Sequence, residues 1–210
     1  MSKNNIQELH DFDNNFIESI IAGVDEVGRG PLAGPVVCAA VILPEKCNFS
    51  YLNDSKKLSE KQRIIVEKEI KSQAICYKII ELDQAVVDDI NILNAAKLGM
   101  VKSIAGLSVK PELVLVDGNQ RIDISIPQKT IVKGDSKSAS IAAASILAKV
   151  YRDDLMKEYA KEFPAYKFES NKGYGSKVHR DAIKEHGVCK IHRRSFLKNI
   201  LKEVDQLKFL

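Results

Sequence analysis

Apolar and polar positions along this chain switch between a strand-like and a helix-like rhythm. Ile20 to Val27 and Pro35 to Leu43 are short, nearly unbroken apolar runs, the pattern of buried strands. The Gly28-Arg29-Gly30-Pro31 link between them is short, so the two are expected to be antiparallel neighbours. Asn53 to Lys57 reads as a polar turn. Ser59 and Gln62 have capping-box spacing and open a helix expected to run to about Ser72. Ala74 to Glu81, rich in Ile and Tyr, reads as a strand. Leu93, Ala96, Met100 and Ile104 recur at helical spacing within Ile92 to Leu107. Glu112 to Val116 and Lys129 to Val132 are two further strands. Ser136 is expected to cap a long helix, Lys137 to Phe163, whose first half is rich in Ala. Helices are expected again over Ser176 to His186 and, basic and amphipathic, over Arg194 to Leu207.

Three strands and two helices thus precede two more strands and a helical C-terminal part. The first strands lack crossovers, which favours a mixed α/β layer fold over a doubly wound one. No internal repeat or low-complexity linker interrupts the 210 residues, a length that favours one domain with a small helical appendage.

Composition narrows the function classes only a little. The formal net charge of +4 is compatible with nucleic acid but does not require it. The four cysteines, Cys38, Cys47, Cys76 and Cys189, form no C-x-x-C pair, which argues against zinc; Cys38 reads as a small core residue. Met1 to Phe16 is polar and has no apolar core of a signal peptide, and Pro35 to Pro44 is too short to span a bilayer. A reduced, cytoplasmic setting with no membrane partner is the resulting expectation. His179, His186 and His192 lie on or beside helices in basic surroundings and read as structural.

The acids are more informative. Asp25 and Glu26 lie in a strand expected to be central, where neighbouring residues face opposite sides and ionised carboxylates are costly. Alone, the pair would read as one solvated acid and one salt bridge. Two more strands also deliver an acid near their ends: Asp117 after Leu113-Val114-Leu115-Val116, and Asp135 after Thr130-Ile131-Val132. If these strands are neighbours the acids converge, and such a cluster calls for cations. Oxygen ligands without His or Cys favour Mg2+ or Mn2+. Asp83, Asp88, Asp89, Asp153 and Asp154 lack this context and read as surface charges on helices or their flanks. Gly28-Arg29-Gly30 directly follows the acidic pair, a setting in which backbone can approach a phosphate or sugar closely.

At these residues the chain resembles ribonuclease HII, the type 2 ribonuclease H family. The resemblance begins with Gly23-Val24-Asp25-Glu26-Val27-Gly28-Arg29-Gly30-Pro31-Leu32-Ala33-Gly34. It continues through Leu52-Asn53-Asp54-Ser55-Lys56-Lys57-Leu58-Ser59, Asn91-Ile92-Leu93-Asn94-Ala95, Val116-Asp117-Gly118-Asn119 and Lys133-Gly134-Asp135. Ala143-Ala144-Ser145-Ile146-Leu147-Ala148-Lys149-Val150, Gly173-Tyr174-Gly175 and His192-Arg193-Arg194-Ser195-Phe196 complete it. Any one block is a weak signal; so many in order over roughly residues 20–197 are not a chance agreement.

The resemblance implies a ribonuclease H-like α/β fold, a five-stranded mixed sheet flanked by helices with a small C-terminal helical extension. The corresponding organisation is a polar N-terminal extension over 1–16, a catalytic domain over 17–190 and a helical segment over 191–210. It implies an endonuclease that hydrolyses the RNA strand of RNA–DNA hybrids and incises duplex DNA 5′ of embedded ribonucleotides, in ribonucleotide removal and RNA primer processing. Asp25, Glu26, Asp117 and Asp135 would hold two Mn2+ or Mg2+ ions, with Asp25 the candidate bridging ligand, and the products would carry 5′-phosphate and 3′-hydroxyl ends. Backbone groups of Gly28, Arg29 and Gly30 would read the 2′-hydroxyl, the one group separating the cut site from DNA. Tyr174 would contact the sugar at the ribose–deoxyribose junction. Asp153 matches a family position near the site, although a surface pair with Lys149 or Lys157 is an equal reading.

Lys56, Lys57, Arg193, Arg194 and Lys198 are candidates for phosphate contacts, against a plain solvated face. A resolvase or transposase of the same fold would share the carboxylates without needing Gly28-Arg29-Gly30 and Tyr174 together. A binding module that has lost catalysis would show a broken carboxylate set, and this set is intact. The tail Asp205-Gln206-Leu207-Lys208-Phe209-Leu210 resembles peptides that bind the bacterial sliding clamp, with Phe and Leu in reversed order; the competing reading is that it covers the catalytic domain.

Overall fold

A computed structural model describes residues 3–207, which divide into two compact units. The first comprises the chain up to Val27, then Val37–Glu81 and Ala96–Val150; the second comprises Gly28–Val36, Leu82–Ala95 and the chain from Tyr151. The elements in order are α1 (Lys3–Asn14), β1 (Ile21–Val27), β2 (Val36–Ile42), α2 (Glu60–Gln73), β3 (Cys76–Leu82), α3 (Gln84–Ile90) and α4 (Ile92–Ala105). After these come β4 (Leu113–Asp117), β5 (Gln128–Ile131), α5 (Ala139–Glu162), a one-turn α6 (Phe168–Asn171), α7 (Lys177–His186) and α8 (Lys198–Leu207).

In the first unit the strands form one sheet in the order β3-β2-β1-β4-β5. β1 pairs antiparallel with β2, while β1–β4 and β4–β5 are parallel, so the five-stranded sheet is mixed, as expected. β2 is buried along its whole length because both of its faces are covered. Val37, Ala39 and Val41 pack with Leu147, Ile146 and Val66 from α5 and α2, whereas Cys38, Ala40 and Ile42 pack with Met100 and Ile104 of α4. α5 lies so close to β1 that a Cβ on Gly23 would come 2.2 Å from the backbone carbonyl carbon of Ser140. The small residues along this part of α5 permit that approach.

The start of α5 differs from expectation. Ser136 does not cap it; Gly134–Ser136 forms a 3-10 turn after Lys133, which adopts a left-handed conformation, and α5 begins only at Ala139. The extra turn lifts Asp135 to the sheet end before the helix starts. Ser138 then accepts from the Ile141 amide at 3.2 Å, and Asp13 of α1 accepts from the Ser140 amide and hydroxyl at 2.8 Å each. Residues 3–14 are therefore ordered as a helix, with Leu9 inside the core.

The second unit has its own core of Met156, Phe168, Ile183, Ile191 and Leu197. Ser176 caps α7 by accepting from the His179 amide at 3.3 Å. The helix expected over 194–207 is interrupted: Arg194–Phe196 is a 3-10 turn and α8 starts at Lys198. Asp88 of α3 causes the break by accepting from the backbone of Arg194 (2.8 Å) and Ser195 (3.0 Å). Leu207 ends α8; Lys208, Phe209 and Leu210, and with them half of the tail expected to bind a clamp, lie outside the described residues. No helix among the described residues is long and apolar enough to cross a membrane.

Candidate active site

Strand pairing brings the sheet acids together. Val24 of β1 lies opposite Val116 of β4 in a parallel pair, so Asp25 and Asp117, each one residue further on, reach the same level at the C-terminal ends of adjacent strands. Residues alternate between faces along a strand. Ile21, Leu113 and Leu115 pack with Ile141 on the α5 side, and Asp25 and Asp117 have the parity of that side. Glu26 has the opposite parity and lies in register with Cys38 of β2. On the next strand Ile131 is opposite Asp117, and the turn that follows presents Asp135. The Gly134 amide donates to Asp117 Oδ1 at 2.7 Å, which ties that turn to β4.

Asp25 and Asp135 are only 5% and 7% exposed. Burial pushes the Asp25 carboxyl well above the usual carboxylate range, and the charges of Glu26 and Asp117 push it the same way; a Ser145 hydroxyl and the Glu26 amide, 2.7 Å away, oppose them. Asp135 is raised first by burial and then by Asp54, with Lys56 acting against the shift. Lys56 Nζ is 3.5 Å from Asp135 Oδ2 on a side chain that is 81% exposed, so its charge is mostly in water and compensates weakly. Burial acts against its positive charge, yet Asp135, Asp54 and Asp25 together raise its pKa. The Cys38 thiol is pushed well up by burial, then by Glu26 and Asp25, and so is a neutral wall of the site.

The glycine-rich residues belong to the second unit. Gly28, with φ of +93°, is buried against Arg152, whereas Arg29 and Gly30 are exposed. The Tyr174 ring lies over Gly30: a Cβ there would be 3.5 Å from Tyr174 Cε1. Tyr174 itself is 47% exposed. Its loop is held from below, with the Leu32 amide donating to Gly173 O at 2.8 Å and His179 Nδ1 lying 2.9 Å from Tyr174 O.

Asp25, Glu26, Asp117, Asp135 and Lys56 thus fall in one unit, and Gly28, Arg29, Gly30 and Tyr174 in the other. Arg193 is not a phosphate contact. It is fully buried, with its guanidinium on the carbonyls of Gly28, Arg29, Pro31 and Gly34. Asp153 is 5% exposed rather than a surface charge, and Lys157 donates to Asp154 at 2.7 Å. Asp83 caps α3 by accepting from the Val86 amide at 3.0 Å. Ser145 escaped the sequence reading; its signal was a hydroxyl on an otherwise apolar helix face. Arg152 gave no signal, because a helical arginine reads as surface.

Residues 22–199 match the family described as Ribonuclease HII. The chain belongs to the ribonuclease HII family. It is a ribonuclease H, an endonuclease hydrolase that acts on RNA–DNA hybrids. Ribonuclease HII of Endomicrobium trichonymphae is 52% identical over 192 residues, spanning 90% of this chain and 91% of that one. The Bacillus anthracis ribonuclease HII is 50% identical over 206 residues, 96% of this chain and 80% of that one. Among solved structures, ribonuclease H2 from Pyrococcus horikoshii OT3 aligns with a TM-score of 0.74 at 25% identity, over 89% of this chain and 99% of the other. The RNase HII of an Archaeoglobus fulgidus PCNA:RNase HII complex aligns at 0.69 and 25%, over 83% and 94%. Bst-RNase HIII in complex with Mn2+ shares the fold, with a TM-score of 0.71 at 18% identity over 93% and 73%. The ribonuclease HII match takes in all four sheet acids, both glycine-rich loops and Arg193.

Proposed function

We propose that this enzyme cuts the RNA strand of hybrids and also incises duplex DNA 5′ of a single embedded ribonucleotide, leaving 5′-phosphate and 3′-hydroxyl ends. The observation that carries the reading is the placement of Asp25 beside Asp117 on one face of adjacent parallel strands, with Asp135 in the turn tied to Asp117. The donor set is all hard oxygen, Asp25 and Asp135 are buried, and the lysine beside Asp135 is largely solvated, which fits divalent cations. Among the described residues no three of these groups are drawn into a ligand-like cluster. Asp25, Glu26, Asp117 and Asp135 are the residues proposed to hold Mg2+ or Mn2+. Two such ions would supply water activation and charge neutralisation at the departing 3′-oxygen.

The protein's own groups orient the rest. Ser145 holds Asp25, and the Gly134 amide holds Asp117. Lys56 is proposed to meet a substrate phosphate. Gly28, Arg29, Gly30 and Tyr174 are proposed to read the ribose. A site built to hydrogen-bond a hydroxyl rejects its absence by roughly 10⁴-fold. The exposed Tyr174 ring over Gly30 supports this assignment. The assay is a duplex with one ribonucleotide in one strand, incubated with Mg2+ or Mn2+. Incision 5′ of the ribonucleotide is expected; cleavage of branched DNA only would favour a resolvase, and binding without incision an inactive module.

The proposed setting is the cytoplasm, in ribonucleotide removal and primer processing, and the four free thiols suit a reducing compartment. A sliding clamp is the proposed further partner, through Gln206 to Leu210. Purified clamp titrated against the full chain and a form truncated after Val204 tests it: no binding, or equal binding by both, removes the partner.

A further inference from the structure

Two buried serines join the turn that carries Lys56 to the first of the sheet acids. Ser55 is 4% exposed and Ser145 is 6% exposed. Their Oγ atoms lie 3.1 Å apart, although 90 residues separate them in sequence. Ser55 opens the 3-10 turn Ser55–Lys57, whose backbone is held at three points. The Asp54 side chain accepts from the Lys56 amide at 2.9 Å, and the Asp54 carbonyl accepts from the Lys57 amide at 2.9 Å. The Ser55 carbonyl accepts from Arg63 Nη1 at 3.0 Å. The turn thereby sets Ser55 inward on α5 and Lys56 outward, with Lys56 Nζ 3.5 Å from Asp135 Oδ2. Ser145 sits between Ala144 and Ile146 in an apolar stretch of α5, and its hydroxyl bonds to Asp25.

The direction of these bonds follows from the proton count. A serine hydroxyl has one proton to give, and an ionised carboxylate can only accept. A carboxyl that holds a cation must be ionised. In that state the Ser145 proton goes to Asp25, so Ser145 Oγ can only accept from Ser55. One directed chain then runs from Ser55 through Ser145 to Asp25. The Glu26 amide adds a second donor, 2.7 Å from Asp25 Oδ1. An ionised carboxylate offers about four lone-pair positions, so two donors leave others for a cation and fix which ones they are.

We infer that Ser55 is a positioning residue: through Ser145 it orients the Asp25 carboxylate toward its cation. This rests on the reading of Asp25 as a cation ligand. Ser55 itself touches neither ion nor substrate in this arrangement. The bonds that Asp54 makes to Lys56 and Lys57 do not involve the Ser55 hydroxyl, so the turn keeps its shape when that hydroxyl is removed.

Ser55→Ala and Ser145→Ala each delete one hydroxyl and little volume. With folding checked by circular dichroism and melting, calorimetric titration of Mn2+ into each full-length protein without substrate should show binding roughly 10-fold weaker than in the parent. The double variant should bind no more weakly than Ser145→Ala, because Ser55 acts only through Ser145. On a hybrid substrate at low Mn2+, kcat should fall in Ser55→Ala while KM stays near the parental value. Parental Mn2+ affinity in Ser55→Ala, a further loss when it is added to Ser145→Ala, or a defect confined to KM overturns the inference. If neither variant folds, a crystal structure of the Mn2+-loaded parent decides. Ser145 Oγ should stay within hydrogen-bond reach of both Asp25 and Ser55 Oγ; a hydroxyl turned away from either one overturns it. Asp25→Asn is the control for the reading beneath: parental Mn2+ affinity in that variant would remove the cation assignment itself.

Discussion

His192 Nε2 stands 3.0 Å from His179 Nε2, and only one arrangement of neutral rings satisfies both. The Cys189 amide donates to His192 Nδ1 at 2.9 Å, so that nitrogen is an acceptor and the proton sits on Nε2. His192 Nε2 then donates to His179 Nε2, which leaves His179 Nδ1–H to donate to Tyr174 O at 2.9 Å. A directed chain of bonds ends on the backbone of the tyrosine proposed to read the sugar.

That chain predicts a stability loss in acid. Burial, and then neighbouring His179, bring His192 down from 6.5 to about 4. Between those values the unfolded chain takes up a proton that the folded one refuses. The contribution is thus complete above pH 6.5 and is lost as pH falls toward 4, on the order of 3 kcal/mol in all. Urea unfolding of the parent and of His192→Asn, compared from pH 7 to 4.5, measures it. The parent should weaken more steeply; parallel curves would exclude this origin.

Asp25→Asn should abolish cleavage, by about 10³-fold or more, while hybrid binding survives. The same variant should be at least as stable as the parent in metal-free buffer, because it removes a carboxyl whose ionised form is opposed by burial, Glu26 and Asp117. Turnover and thermal melting together separate the two effects. Near-parental turnover at saturating Mg2+ would end the metal assignment.

Tyr174→Ala should lose most activity on a single embedded ribonucleotide and leave stability nearly unchanged, since the ring is half exposed over Gly30. Steady-state kinetics on that duplex, beside a melting curve, checks both parts. Equal activity of variant and parent would make the ring merely structural.

Gly23→Val should fold poorly or not at all. Even the first carbon of a side chain would come 2.2 Å from the Ser140 backbone and drive α5 off β1. Overpacking typically costs about 1–3 kcal/mol, and a backbone obstacle that cannot rotate away belongs at or above the top of that range. A melting temperature within a few degrees of the parent would show that α5 can shift freely.

The strands, most of the helices and the four sheet acids were legible in the sequence, because burial leaves a period in the pattern of apolar residues and an acid at the end of an apolar run breaks it. The Ser59–Gln62 capping box was legible for a similar reason, both partners being four residues apart or fewer. What connects distant parts of the chain was not. The cap of α5 moved from Ser136 to Ser138 and Asp13, the last helix was broken by Asp88, and Arg152 and Arg193 turned inward. Each depends on a partner with no fixed spacing in sequence. An arginine that grips carbonyls more than 100 residues away has the same local pattern as one in water, and only the folded chain, by bringing those carbonyls within 3 Å, decides between them.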